Sequence, residues 1–274
     1  MKSWVRSGGA AAAAVAAVAL VATLGASAKP LASGNPYNLA TPGTLVVGMD
    51  LEFKPEMYLQ NGKPAGYDVE LLNAVAKQLG VKVKIENLAF NGLIPGLVSK
   101  KFDMVSVGLS PTPERRKAIS FSRAYVPYAQ ILAAKKGDTT GASMTAWNDS
   151  GKTITSLQGS TAEQLVKSDF PKAKSDSFPD QNSAFLQVAT GRADGIVVEN
   201  YLLAQFNKSN GNKLQQVPFP KPLQVQYGAY GVQKGNTALV KALNGAICKL
   251  QANGQLAKIY KKTEGTDLPP MPGC

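Results

Sequence analysis

The chain has 274 residues, 44% of them hydrophobic and 18% charged, with a formal net charge of +12. That balance supports a packed core and excludes a disordered chain. There is no histidine, and the two cysteines form no Cys-x-x-Cys pair, so Ser-His-Asp and Cys-His catalysis are excluded and no zinc centre is expected.

The positive charge does not point to nucleic acid. Lysines such as Lys77, Lys82, Lys84, Lys100 and Lys101 are scattered over the polar faces of amphipathic stretches, and no aromatic-basic stripe gathers them. No metal site or cofactor motif is found.

At the start, Lys2 and Arg6 precede an apolar run from Ala10 to Leu24 and the small-residue signal Ala26-Ser27-Ala28. This order predicts a secretory signal peptide over 1–28, cut after Ala28. The run is shorter than the roughly 20 residues a spanning helix needs. The expected location is the periplasm. Residues 29–43 are rich in Pro, Asn, Ser and Gly and read as a flexible N-terminal segment.

"TLVVGMD" (44–50) then reads as a strand. In "GYDVELLNAVAKQLG", Val69, Leu72, Val75, Ala76 and Leu79 recur at helical spacing, and Gly80 stops the helix. "VKVKIEN" alternates apolar and charged residues and reads as a half-buried strand. "NGLIPGLVSKK" reads as a short helix despite Pro95, and "FDMVSVGLS" as a buried strand.

"AQILAAKKG" is a further strand, and "DTTGASMTAWNDSG" reads as loop. "TITSLQGSTAEQLVKSDFP" gives strand, glycine turn and helix. "DQNSAFLQVATGRADGIVVENYLLAQF" gives helix, turn, strand and helix. A strand near Tyr227 and two closing helical runs follow. The alternation predicts an α/β fold with helices on both faces of the sheet. Extended segments near 130 and 227 bracket the middle of the chain, which places one lobe at 132–222 and a discontinuous lobe at 44–131 plus 223–274.

Cys248 and Cys274 are the only possible intramolecular pair. Export favours a bridge between them. The alternative is a buried free thiol at Cys248 and a loose one at the terminus.

Several stretches, in this order and spacing, resemble one family: "LVVGMDLEFKPEMYLQNGKPAGYDVELLNAVAKQLG", "NLAFNGLIPGLVSKKFDMVSVGLSPTPERRKAISFS", "SLQGSTAEQL", "GRADGIVVEN" and "LNGAICKLQANGQLAKIYKK". They look like the polar amino-acid-binding branch (family 3) of the bacterial extracellular solute-binding proteins, which serve ABC importers. The resemblance implies a two-lobed periplasmic-binding-protein fold, with two crossover strands joining the lobes and a ligand cleft between them. It implies a monomer that captures a free amino acid and delivers it to a membrane permease, without catalysis.

The resemblance also implies site residues. Arg115 stands where the family places its carboxylate-binding arginine. Ser110 matches a hydroxyl position beside it, expected to hold the same carboxylate, and Gly108 lends its backbone. Thr112 braces the bend or meets the ligand. Ser160 and Thr161 open a helix and suit an anion, although helix capping explains them as well. Glu199 stands where the family usually has an aspartate for the ammonium group. Asp50, Phe53 and Phe90 flank the side-chain end, the aromatics as stacking walls or as core. Glu56 departs from an aromatic position of the family. With Glu52 it is expected as an acid near the cleft lip, favouring a basic ligand side chain or simply solvated. The competing function is a dehydratase of the cyclohexadienyl or arogenate type on the same fold, with Glu199, Asp50 or Glu52 as general acid.

Overall fold

A computed structural model of the chain describes residues 34–274. The signal peptide expected over 1–28 lies outside the described residues, as does the start of the segment at 29–43.

The first elements follow the hydrophobic pattern. Strand β1 (Thr44–Met49) buries Leu45, Val47 and Met49. A small hairpin sheet follows, β2 (Glu52–Phe53), β3 (Met57–Gln60) and β4 (Lys63–Ala65). Helix α1 (Tyr67–Leu79) buries Val69, Leu71, Leu72, Val75 and Ala76. It ends on a left-handed Gly80 whose N–H caps the last turn. Then come β5 (Lys82–Asn87), α2 (Phe90–Val98) with Pro95 inside it, the fully buried β6 (Met104–Leu109), and α3 (Pro113–Ala118).

Strand β7 (Ile119–Lys135) is 17 residues long. At about 3.3 Å per residue it reaches roughly 55 Å, enough to run through both halves of the molecule. The middle segment adds α4 (Met144–Trp147), β8 (Thr153–Leu157), α5 (Thr161–Asp169), β9 (Lys174–Phe178) and α6 (Gln181–Ala189). It closes with β10 (Gly195–Glu199), α7 (Asn200–Asn210) and β11 (Leu214–Gln216). The chain returns through β12 (Gln224–Gln233) and ends in α8 (Thr237–Ala252) and α9 (Gln255–Glu264).

The main sheet runs β5-β1-β6-β12-β7-β10-β8-β9, with β11 also paired to β7. Its two halves are parallel α/β sets, β5-β1-β6 and β10-β8-β9. Between them β12 and β7 form an antiparallel ribbon, with Gln224 opposite Gln130 and Gln226 opposite Tyr128. This ribbon is the pair of crossing strands of a two-lobed fold.

Three local expectations change. The loop read at 138–151 contains α4, which Ser143 caps and which buries Trp147. The hairpin β2-β3-β4 and strand β9 carry too few apolar residues to show in the pattern. The strand read at 129–137 is the end of a much longer one.

Cys248 and Cys274 are bridged, with Cα atoms 5.8 Å apart. Arg123 reinforces this anchor by donating to the carbonyls of Pro272 and Gly273. The bridge closes a loop with a sequence separation of 26, which stabilises by about 3 kcal/mol in the chain-entropy account. The Cys248→Ser/Cys274→Ser protein is therefore expected to melt roughly 6–12 °C lower, with its far-UV circular dichroism unchanged. An unchanged melting temperature would show that the tail contributes nothing.

Candidate functional site: a cleft around a buried arginine

The site is built where β6 ends. Gly108 there has φ +58, a region open to glycine at little cost. A Cβ on it would lie 1.7 Å from the Tyr128 hydroxyl, so no other residue fits. Its N–H donates to the Tyr125 hydroxyl at 2.8 Å, and that hydroxyl donates to Asp68, which also accepts from Ser106. The network fixes the bend that delivers Ser110.

Thr112 then caps α3 by accepting from the Arg115 N–H at 3.2 Å, with Pro113 at the first helical position. Thr112 braces the bend. The cap orients Arg115, which turns inward and is only 7% exposed. Its guanidinium donates to the Ser110 carbonyl and, across the cleft, to the Gly159 carbonyl, both at 3.0 Å. Its central carbon lies 5.7 Å from the Phe90 ring centre. Among the described residues Arg115 is in no salt bridge. Burial lowers its pKa to about 10, against the opposing pull of Glu199.

A small cavity of about 40 Å³ lies in front of this guanidinium. Phe53, Phe90, Gly108, Ser110, Arg115, Ser160, Thr161 and Glu199 all line it, as expected from the sequence. Phe53 and Phe90 meet edge to face, with centres 6.3 Å apart. Tyr128 and Tyr201 form a tilted pair at 5.6 Å, and Val107, Leu109, Leu157 and Leu202 complete the walls. These six were not foreseen.

The hydroxyls are already committed. Ser110 Oγ donates to Gln226 Oε1 at 2.8 Å, and Thr161 Oγ1 donates to the same oxygen at 2.9 Å. An amide oxygen can only accept, so both hydroxyls keep only lone pairs for a ligand. This differs from the expected pairing of Ser110 with a carboxylate. Ser160 Oγ donates to the Leu157 carbonyl and accepts the Glu163 N–H, so that side chain works as a helix cap. The first N–H groups of α5 have no acceptor within the helix and face an anion well.

Glu199 ends β10 and accepts from Gln130 at 2.7 Å. Burial raises its pKa, and the Gln130 bond and Arg115 pull it back down. Asp50 is 4% exposed and is not among the cavity-lining residues. The backbone at Phe90 and Glu52 pulls its pKa down against the larger effect of its burial.

Glu56 differs from expectation. It is buried at 2% exposure, away from the cavity, with Oε2 lacking a hydrogen-bond partner. The reason is local: the hairpin folds back on α1, so that the N–H groups of Tyr67 and Asp68 bond the carbonyls of Pro55 and Glu56. Burial, then Glu264, Asp68 and Glu199, push its carboxyl well above the usual range.

With this geometry in place, comparison with known proteins is informative. The family model of bacterial extracellular solute-binding proteins, family 3, matches residues 45–266. The chain belongs to this family. It is 31% identical to ABC transporter arginine-binding protein 1 of Escherichia coli (strain K12), over 73% of this chain and 81% of that one. An ancestral arginine-binding protein, solved with glutamine bound, superposes with a TM-score of 0.75 at 34% identity, over 82% of this chain and 100% of that one. An ancestral amino-acid-binding protein, described as a precursor of cyclohexadienyl dehydratase, gives 0.73 at 32%, over 81% and 95%. Among the described residues no helix is long and apolar enough to cross a membrane, and no group of acidic or cysteine residues could hold a metal ion.

Several acids near the cleft have carboxyls raised above their usual range. Burial, with Glu52 next, raises Asp50 to about 7. Burial also raises Asp68 to about 6 and Glu264 to about 7. Each folded value lies above the unfolded one. The unfolded chain therefore releases protons between about pH 4 and 7 that the fold retains, and stability falls across that window. The ligand-free protein should melt higher at pH 5 than at pH 8, and Glu56→Gln should narrow the gap. A calorimetric midpoint that rises from pH 5 to pH 8 contradicts this assignment.

Proposed function

We propose that this chain is the exported substrate-binding component of an amino-acid ABC importer, closing its two lobes on one free amino acid and presenting it to a permease. The observation that carries the reading is the buried guanidinium of Arg115 with no carboxylate partner among the described residues. A permanent charge held out of water needs a compensating anion. A ligand carboxylate supplies it with bidentate geometry.

In this reading the first N–H groups of α5 assist Arg115 at the carboxylate. The ammonium group goes to Glu199 and to the lone pairs of Ser110 and Thr161. Phe53 and Phe90 hold the side chain, with Gly108 keeping the backbone close. Asp50 and Glu52 stand next to Phe53 in the chain, outside the cavity lining, and a cationic ligand end that reached them would be favoured over a neutral one, because burial and then Glu52 raise Asp50. The similarity to an arginine-binding relative agrees, and L-arginine is the first candidate.

The lobes divide at 44–131 plus 223–274 and at 132–222. The leader is removed after Ala28, and the protein acts in the periplasm as a monomer. Binding shifts an open–closed equilibrium toward the closed form.

The dehydratase reading has one feature in its favour, the raised carboxyl of Glu199 inside the cavity. No second acid lines that cavity, and incubation with prephenate or arogenate should yield no aromatic product. An aromatic product would restore it.

The direct test is a thermal-shift panel of the twenty amino acids with ornithine, citrulline and cystine, on protein unfolded and refolded to remove carried ligand. A ligand at about 100 times its Kd adds roughly 2.7 kcal/mol. Arg115→Ala should then weaken the binding amino acid by at least roughly 100-fold in calorimetry, since breaking a buried charge pair costs about 3–5 kcal/mol, with the fold retained. Unchanged affinity would remove Arg115 from the site.

A further inference from the structure

Two buried glutamines on the crossing strands join the ligand-site groups of the two lobes. Gln226 is 8% exposed and Gln130 fully buried. Gln226 Oε1 receives the hydroxyl of Ser110, at the end of β6, and the hydroxyl of Thr161, at the start of α5. These donors come from opposite halves of the sheet, while Gln226 sits in the ribbon between them, opposite Tyr128. Gln130 Nε2 donates to Glu199 at 2.7 Å and to Thr161 Oγ1 at 3.3 Å.

The order of protons along this chain is self-consistent. An ionised Glu199 only accepts, so the Gln130 amide must turn its NH₂ toward it. The same NH₂ reaches Thr161, whose hydroxyl donates onward. Gln226 Oε1 accepts from Thr161 and Ser110, and Gln226 Nε2 is turned outward to Gln224 Oε1. Two other side chains also span the cleft, Arg115 to the Gly159 carbonyl and Asn91 to Gln158. Those bonds lie between the lobes themselves. The glutamines lie in the hinge.

We infer that Gln226 is the closure latch of this protein. One amide oxygen can hold both hydroxyls only while the lobes are together, so full hydrogen bonding of Ser110 and Thr161 exists only in the closed form. Gln130 extends the latch to Glu199. Both are positioning residues: they set the direction of the ligand-facing hydroxyls and add free energy to closure without touching the ligand. The inference rests on the clamp reading above.

The test uses small-angle scattering of the full mature chain, titrated with an equimolar mixture of the twenty amino acids, ornithine, citrulline and cystine. The mixture should compact the wild type. Gln226→Met keeps the length but offers no acceptor oxygen, and should need roughly tenfold more mixture to close, as expected for two lost bonds of ordinary strength. Gln226→Glu keeps the acceptor and should restore the midpoint to within about threefold. Thr161→Val, which also removes a ligand contact, should cost clearly less in the Gln226→Met background than it does alone. A wild-type midpoint for Gln226→Met, or additive effects of the pair, overturns the latch. If the mixture fails to compact the wild type, the transport reading has failed instead. The latch is then decided by thermal unfolding, where additive losses for Gln226→Met and Thr161→Val overturn it and non-additive losses support it.

Discussion

The molecule is organised around one buried positive charge. Arg115 is nearly inaccessible, yet burial disfavours its charged form. Its position is set by a bend, a threonine cap and a proline at the helix start. The carbonyls of Ser110 and Gly159 satisfy part of the guanidinium, and the neighbouring Glu199 supplies a field without an ion pair. Such a charge is poorly compensated by the protein alone. The two lobes, the crossing ribbon and the aromatic walls make physical sense as the means of bringing an anion to it and excluding water afterward.

The acids of the cleft take the opposite course. Asp68 is satisfied by Ser106 and the Tyr125 hydroxyl, and serves the backbone at Gly108. Glu56 has no such partners for Oε2 and lies in the field of Glu264, Asp68 and Glu199. Burial there disfavours its ionised form. The carboxyls behind the cleft are thus ones whose ionised form burial disfavours, while Arg115 and Glu199 are the basic and the acidic side chain that line the cavity itself. A zwitterion matches that pair of opposite charges better than a simple anion or cation would.

Much of this was legible in the sequence because periodicity reports burial. Helix α1 with its Gly80 stop, strand β6, and the α6-β10-α7 run carry continuous apolar patterns. Eight expected site residues meet in one cavity because their motifs sit at the ends of those elements, where open α/β sheets place ligands. The hairpin β2-β3-β4 was not legible, since its short strands expose half their residues. Glu56 was misplaced for the same reason, because nothing in its neighbours shows that the hairpin folds onto α1. Gln130 and Gln226 gave no signal either. A glutamine in a strand reads as an exposed position, and only the register of β7 against β12 puts these two beneath the site.

The arginine also bears on how strongly the closed form is held. A guanidinium has five N–H donors in a fixed plane. One donates to a carbonyl of its own lobe and one to Gly159 across the cleft, which leaves enough for a bidentate carboxylate. Arg115 can thus bridge the lobes and hold a ligand at once, and the two actions reinforce each other. Closure brings the Gly159 carbonyl to the guanidinium and removes water, and removing water strengthens the pairing with the carboxylate. A ligand lacking that carboxylate would still meet Glu199 and the aromatic walls, but closing on it would bury the positive charge uncompensated. On the proposed binding mode, selection for the acid end of the ligand follows from the cost of closing, more than from the attraction felt in the open cleft.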